Sequence, residues 1–345
     1  NINYIEAINN ALIKIMKTNK KVICFGLGIN DPKNIFGSTK NLLKFFGNKR
    51  VFDMPTSENA LTGVAVGLSL NSYIPVMMHQ RFDFFLLAID QLVNSAAKWK
   101  FMFGHKRKFK MVFRLIIGRG WGQGPTHSQS YHSFLASLPG LDVYYPYDAE
   151  TAYYSIFSGL TSGNPSLLIE HRWLHSTTSE NIMFDRNKFK GLQKLAGGSE
   201  FTIFSYGYLI PEIKKACDFL RRYSIEVDLI STCFLTNIDL DLLAKSITKT
   251  KKILFVEPFT KEASLTSSIF SQLLTEYNLS SIIEYSKIIS LPSEHESTSY
   301  FQTKNRYVNW RQIVEIVAAV MGKEVQIEIE DEHHDIPGKW FTGPF

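Results

Sequence analysis

Apolar residues along this chain switch between two spacings. Short, nearly continuous runs read as buried strands: Val22-Ile23-Cys24-Phe25, Ile74-Pro75-Val76-Met77-Met78, Lys110 to Ile116, Leu141 to Tyr144 and Ser166 to Glu170. Between them the apolar positions recur every three or four residues. That spacing predicts helices over about 3–18, from Thr56 or Ser57 onward, over 82–100, from about His127, and over 148–162. In the second of these the predicted buried face is Leu61, Val64, Ala65 and Leu68, with Gly63 and Gly67 leaving room for another backbone. In the third it is Phe85, Ala88, Ile89, Leu92 and Ala96. The rhythm resumes with strands at 201–207, 227–230 and 253–257 and helices over 209–223, 240–247, 263–276 and 310–321. Strands alternating with helices in this way mean parallel sheets covered on both faces. The expected fold class is therefore α/β, built as two units. Residues 1–171 form the first, 172–199 a linker without clear periodicity, 200–325 a smaller second unit, and 326–345 an acidic then aromatic tail.

Size agrees with two units, because single cores stop growing near ~250 residues and this chain has 345. Apolar content of 45% and charged content of 20% are those of an ordinary globular protein. No run of ~18 apolar residues is present, so no membrane span is expected. The opening Asn1-Ile2-Asn3-Tyr4-Ile5-Glu6 lacks the blocks of a signal peptide. Cys24, Cys217 and Cys233 are far apart and read as buried thiols of a reducing compartment, which makes cytoplasmic the expected location. The net charge of +6 points to anionic small-molecule partners. The basic run His105-Lys106-Arg107-Lys108 has no aromatic platform and reads as a solvated loop, so nucleic acid is not an expected partner. The tail ending Lys339-Trp340-Phe341-Thr342-Gly343-Pro344-Phe345 is expected to dock, since exposed rings are unfavourable in water.

Candidate chemistry gathers at three places. In Asp53-Met54-Pro55-Thr56-Ser57-Glu58, the proline ends an extended run and sets Glu58 in the first turn of a helix. A carboxylate there complements the helix dipole, or it is aimed at a ligand. The glycine-dense loop Gly118 to Gly124 leads to Pro125-Thr126-His127-Ser128-Gln129-Ser130, placing an imidazole beyond a strand's carboxyl end, where open parallel sheets bind ligands. The third is His79-Gln80-Arg81-Phe82-Asp83-Phe84, with two rings able to orient a planar heterocycle. His79 and Arg81, together with His171 and Arg172, are candidates for binding an anionic substrate, or are ordinary surface charges. Gly26-Leu27-Gly28 is not a dinucleotide fingerprint, and no phosphate loop with Gly-Lys-Ser/Thr occurs.

Val51 to Glu58, continuing to Gly67, resembles the beta subunit of thiamine-diphosphate-dependent 2-oxo acid dehydrogenases. More broadly it is similar to the pyrimidine-binding domain of transketolases. His127-Ser128-Gln129-Ser130, Phe82-Asp83-Phe84 and Ala88-Ile89-Asp90-Gln91 carry the same resemblance. Ser205-Tyr206-Gly207, Val227 to Ile230 and Val256-Glu257 resemble the transketolase C-terminal domain. The resemblance implies a three-layer pyrimidine-binding domain followed by a smaller transketolase C-terminal-like domain. It implies that Glu58 hydrogen-bonds a ring nitrogen of the cofactor's aminopyrimidine, that Phe82 or Phe84 stacks on that ring, and that His127 anchors or protonates the substrate.

The magnesium-bound diphosphate is carried in these families by Gly-Asp-Gly, which this chain lacks. The implied assembly is therefore two alpha-type and two beta-type chains, with thiamine diphosphate at their interface and magnesium held by the alpha-type partner. The implied activity is cleavage or decarboxylation of a small anionic ketone or 2-oxo acid, with transfer of the acyl or ketol fragment. Leu27 and Gly28, Glu262-Ala263-Ser264, Ser162 and Glu170 to Trp173 depart from the family pattern. They keep two alternatives open: a non-catalytic or regulatory subunit, and a transketolase-like enzyme of sugar biosynthesis.

Overall fold

The structure, a computed structural model, describes residues 1–104, 108–118, 123–180, 189, 191–303 and 306–328. His105 to Arg107, positions 119–122 of the glycine-dense loop and the aromatic tail lie outside the described residues.

Six strands build the first sheet: β1 (Val22–Gly26), β2 (Val51–Phe52), β3 (Ile74–His79), β4 (Met111–Ile117), β5 (Asp142–Tyr144) and β6 (Pro165–His171). They lie in the order β2-β1-β3-β4-β6-β5, and every pairing is parallel. β1, β3, β4 and β6 are buried along their whole length, which is why they read as continuous apolar runs rather than as alternations. Helices α1 (Tyr4–Thr18), α2 (Glu58–Leu70) and α3 (Ala149–Thr161) pack on this sheet, and α1 and α3 pack on each other. α1 begins at a capping box in which Asn3 accepts the Glu6 N–H at 2.8 Å and the Glu6 carboxylate accepts the Asn3 N–H at 3.0 Å.

The second sheet holds β7 (Gln193–Ala196), β8 (Phe201–Tyr206), β9 (Val227–Thr232), β10 (Lys252–Thr260) and β11 (Tyr285–Leu291), in the order β11-β10-β8-β9-β7. Only β7 runs antiparallel to its neighbour. Around it stand α4 (Ile210–Arg221), α5 (Asp241–Thr250), α6 (Leu265–Thr275) and α7 (Trp310–Val320), with α7 packed on α4. The stretch expected as a linker is structured where it is described. Thr178–Ser179 pairs antiparallel with Ile2–Asn3, and Gln193–Ala196 is the edge strand of the second sheet.

Three of the expected elements differ from the sequence reading, and two further ones are new. On α2 the buried residues are Glu58, Thr62, Ala65, Val66 and Ser69, so of the predicted face only Ala65 is buried and Val64 is 48% exposed. The stretch 82–102 is not one helix. It is an α turn at Phe82–Phe85, a 3-10 turn at Leu86–Ala88, a π segment at Gln91–Ala97 and a last α turn at Trp99–Met102. Phe85, Ala88, Leu92 and Ala96 are nevertheless buried as expected. No helix starts at His127: the only helix there is His132–Ala136, because the Gln129 N–H is donated sideways to the Asp83 carboxylate. Strand β11 and the short helix Leu42–Phe46 were not anticipated.

Candidate active site

Parallel strands deliver the candidate residues to one end of the first sheet, their carboxyl ends. The loop after β1 requires glycine at 28. Its φ is +75°, and a Cβ there would sit 2.4 Å from the Gln80 amide nitrogen. The Gly28 N–H donates to Asp53 Oδ1 at 2.9 Å, and Gln80 donates to the Leu27 carbonyl at 3.2 Å, tying the loops after β1, β2 and β3 together. Farther along, Asn34, Ile35 and Phe36 all take left-handed backbone angles, with φ of 48°, 43° and 60°. Such angles cost roughly 1–3 kcal/mol each in a non-glycine residue. Here they are held by the Ser38 N–H to the Ile35 carbonyl and the Thr39 N–H to the Asn34 carbonyl.

A cleft of about 280 Å³ lies between these loops, lined by Asp31, Lys33, Ile35, Phe36, Gln80, Arg81, Phe84, Gln123 and His127. It brings together three residues read from the sequence: Arg81, Phe84 and His127. The Phe84 and His127 rings meet edge to face at 5.6 Å, and the Thr126 hydroxyl lies 3.0 Å from His127 Nδ1. Arg81 donates to the Gln123 side-chain oxygen at 3.0 Å and to the Gln80 carbonyl at 2.8 Å. Burial pushes its guanidinium down to about 10. Behind Phe84, burial raises the Asp83 carboxyl, partly offset by the Gln129 amide that donates to it at 2.8 Å. A larger hollow of about 530 Å³, walled by Tyr144, Tyr154, Phe234 and Asp239, contains none of the residues read from the sequence as functional.

The remaining candidates stand outside the cleft lining. Glu58 opens α2, and the Ser57 side chain does not cap the helix. The residue is only 5% exposed, yet its carboxylate takes no hydrogen bond or ion pair among the described residues. Phe82 is fully buried, edge-on to Tyr131 at 6.1 Å. His79 is buried against Phe85, and burial drives its imidazole down to about 3, so it is neutral. His171 is buried, stacked on Tyr208 at 4.2 Å. Arg172 is 5% exposed, its guanidinium carbon 3.7 Å from the centre of the Phe36 ring. Burial and then the Arg81 charge lower it to about 9.

Beneath the site, Arg114 and Glu170 form a fully buried two-pronged pair at 2.5 and 2.8 Å.

Residues 1–176 match the family model of the transketolase pyrimidine binding domain, and residues 191–295 match that of the transketolase C-terminal domain. The chain belongs to the transketolase pyrimidine-binding family. Among its relatives is the mitochondrial pyruvate dehydrogenase E1 component subunit beta of Chaetomium thermophilum, 33% identical over 73% of this chain and 68% of that one. The corresponding subunit beta of Rickettsia felis is 30% identical over 79% and 83%. That of Saccharomyces cerevisiae is 29% identical over 78% and 75%. A solved structure described as a split gene transketolase, inactive beta4 tetramer, superposes with a TM-score of 0.75 at 19% identity, covering 93% of this chain and 99% of that one. Within the family this chain is a beta-type subunit of a heteromeric thiamine-diphosphate enzyme.

Two functional features were not read from the sequence. Asp31, Lys33, Ile35 and Phe36 line the cleft although 29–41 has no periodicity that marks them. His175, one turn beyond Arg172, is buried with neither ring nitrogen hydrogen-bonded among the described residues. The only hint in the sequence was the density of basic and aromatic residues after β6.

Proposed function

We propose that this transketolase-family chain forms the pyrimidine-side half of a thiamine-diphosphate site, completed by an alpha-type partner that carries the diphosphate and magnesium. The observation that carries this reading is Glu58: a residue only 5% exposed whose carboxylate has no hydrogen bond or ion pair among the described residues, at the positive end of a helix. A ring nitrogen of a bound heterocycle would give that carboxylate the hydrogen bond that no described protein group supplies. Phe84 rather than Phe82 is the ring that faces the planar group, because it lines the cleft while Phe82 is enclosed. Magnesium does not fit this chain alone, because among the described residues no group of acids, histidines or cysteines could hold a metal.

Thiamine diphosphate, when bound, supplies an electron sink for carbon–carbon cleavage or decarboxylation beside a carbonyl. Glu58 would hold the ring by a hydrogen bond between its carboxyl group and the ring nitrogen. His127, half-buried at the cleft wall with Thr126 on its Nδ1, binds the substrate oxygen or gives it a proton. Arg81 in the cleft and Arg172 behind it recognise an anionic group on the keto substrate, while His79, packed on Phe85, and His171, stacked on Tyr208, lie buried outside the cleft lining. The assembly is two alpha-type and two beta-type chains, acting in the cytoplasm.

Titration calorimetry with thiamine diphosphate and magnesium tests this. Binding is expected when the alpha-type chain is co-expressed and not with this chain alone. No heat in either preparation would overturn the reading.

A further inference from the structure

The loops after β3 and β4 meet at the cleft wall, and an acid that the cofactor reading does not use ties them. Asp83 stands between Phe82 and Phe84 in the turn that follows β3. Its Oδ1 accepts the Gln129 N–H at 3.3 Å and the Gln129 side-chain amide at 2.8 Å. The other end of that amide is taken as well, because the Tyr131 hydroxyl donates to Gln129 Oε1. With its oxygen engaged by a donor, the amide turns its NH2 to Asp83, so the pairing has one orientation. Tyr131 itself stands edge-on to Phe82 at 6.1 Å and to Phe259 at 6.4 Å. One residue beyond Gln129, Ser130 Oγ lies 2.8 Å from His132 Nδ1, whose Nε2 meets the Tyr206 hydroxyl at 2.9 Å and Glu257 at 3.1 Å. Segment 127–132 is therefore fastened at Asp83 in its middle and at Glu257 at its end. His127, which begins it, meets the Phe84 ring edge to face at 5.6 Å.

Asp83 is bonded to Phe84, and Gln129 lies two residues after His127, so this one pairing brackets both rings. Charge favours it, because hydrogen bonds to an ionised acceptor are roughly twice as strong as those between neutral groups. Burial raises the Asp83 carboxyl, and against that rise act the Gln129 side chain first and the charge of His127 last. We propose that Asp83 is a positioning residue: through Gln129 it holds the His127 imidazole at the edge of the Phe84 ring and so fixes where the substrate meets that imidazole. The assignment rests on the cleft being the site proposed above, and it adds the group that sets the place of His127. Asp83 Oδ2 is buried without a hydrogen bond among the described residues, so Gln129 is held by one oxygen only. An amide oxygen at position 83 can accept the same two bonds without the charge.

The test reads the ring current of Phe84 at His127, by NMR of the full-length chain with carbon-13 at the histidine Cε1 and no cofactor added. His127→Gln identifies the resonance, and Phe84→Leu gives its position without the ring. Asp83→Ala is expected to move the resonance most of the way to the Phe84→Leu position, and Asp83→Asn to leave it near wild type. Gln129→Ala is the second variant should Asp83→Ala fail to fold, and it is expected to lie between, because the Gln129 N–H remains. In the assembled enzyme Asp83→Ala should lower kcat about 10–100-fold, as a misplaced group does, with KM little changed. Asp83→Asn should restore most of that loss. A wild-type resonance in Asp83→Ala would overturn the assignment, as would an Asp83→Asn form displaced as far as Asp83→Ala, or an effect confined to KM. Failure of the cofactor reading looks different: thiamine diphosphate then gives no heat, while the resonance pattern across the variants persists.

Discussion

Two buried residues, Glu58 in the first unit and Glu257 in the second, have their carboxylates treated oppositely. In the second, Glu257 accepts from the Tyr206 hydroxyl at 2.8 Å and the Thr266 hydroxyl at 2.9 Å, and meets His132 at 3.1 Å. Asp228 is held there by Lys194 and Lys249, both at 2.9 Å, and by the Ser246 hydroxyl at 2.7 Å. In the first unit Glu58 has no such company among the described residues, and His79 and His175 leave ring nitrogens unmatched. Saturated buried groups specify a fold, whereas unsaturated ones are held in readiness for something not yet present. Glu257 thus belongs to the scaffold, as Glu170 held by Arg114 does in the first unit, whereas Glu58 stands open at the carboxyl end of the first sheet.

The largest effect should come from Glu58→Gln. Turnover of the assembled enzyme is expected to drop on the order of 10²–10⁴-fold, as for loss of a group that manages a proton. The urea midpoint should not move, since no internal bond is lost. Unaltered turnover, or a collapsed fold, breaks the contrast.

Glu257→Ala should behave in the reverse manner. Leaving Tyr206, Thr266 and His132 without their acceptor is expected to cost about 3 kcal/mol in urea unfolding. A loss below about 0.5 kcal/mol would show that the saturated network is not structural.

A smaller effect separates the units by pH. His79 is held near 3 in the folded chain and returns to about 6.5 when unfolded, so its contribution is complete above 6.5 and is lost as pH falls toward 3. Asp228 is held below its ordinary value by Lys249, Ser246 and Lys194 against the opposing effect of burial, so its contribution persists until pH falls below about 4. Between pH 7.5 and 5.0, therefore, acid should loosen the first unit and spare the second. His79→Leu is expected to reduce the loss of Tm over that interval by a few degrees, at about 2–4 °C per kcal/mol. Asp228→Asn should leave the interval unchanged, and a change of equal size in both variants would remove the distinction.

Much of this molecule was legible before any coordinates. Strands buried on both faces announce themselves as apolar runs, and β1, β3, β4, β6, β8, β9 and β10 all did. Faces were harder. Periodicity marks every apolar stripe, including one that this chain does not itself cover, and so it chose Leu61, Val64 and Leu68 over Thr62, Val66 and Ser69 on α2. Nothing lies within 4 Å of a Cβ placed at Gly67, so the room expected there is open space within this chain. Over 82–102 the winding was invisible, because across one or two turns a π segment and an α-helix turn nearly the same residues inward. Phe36 and His175 were missed because irregular loops bring them together from 139 positions apart, beyond any local pattern.

The short ribbon joining Ile2–Asn3 to Thr178–Ser179 has a practical corollary. With the Tyr4 N–H donated to the Thr177 carbonyl at 3.0 Å and the Tyr4 ring against His175, the opening residues act as a buttress for the wall behind the cleft. Breaking that ribbon, for example by Asn3→Pro, would therefore be transmitted to the wall behind the cleft rather than remain a local change.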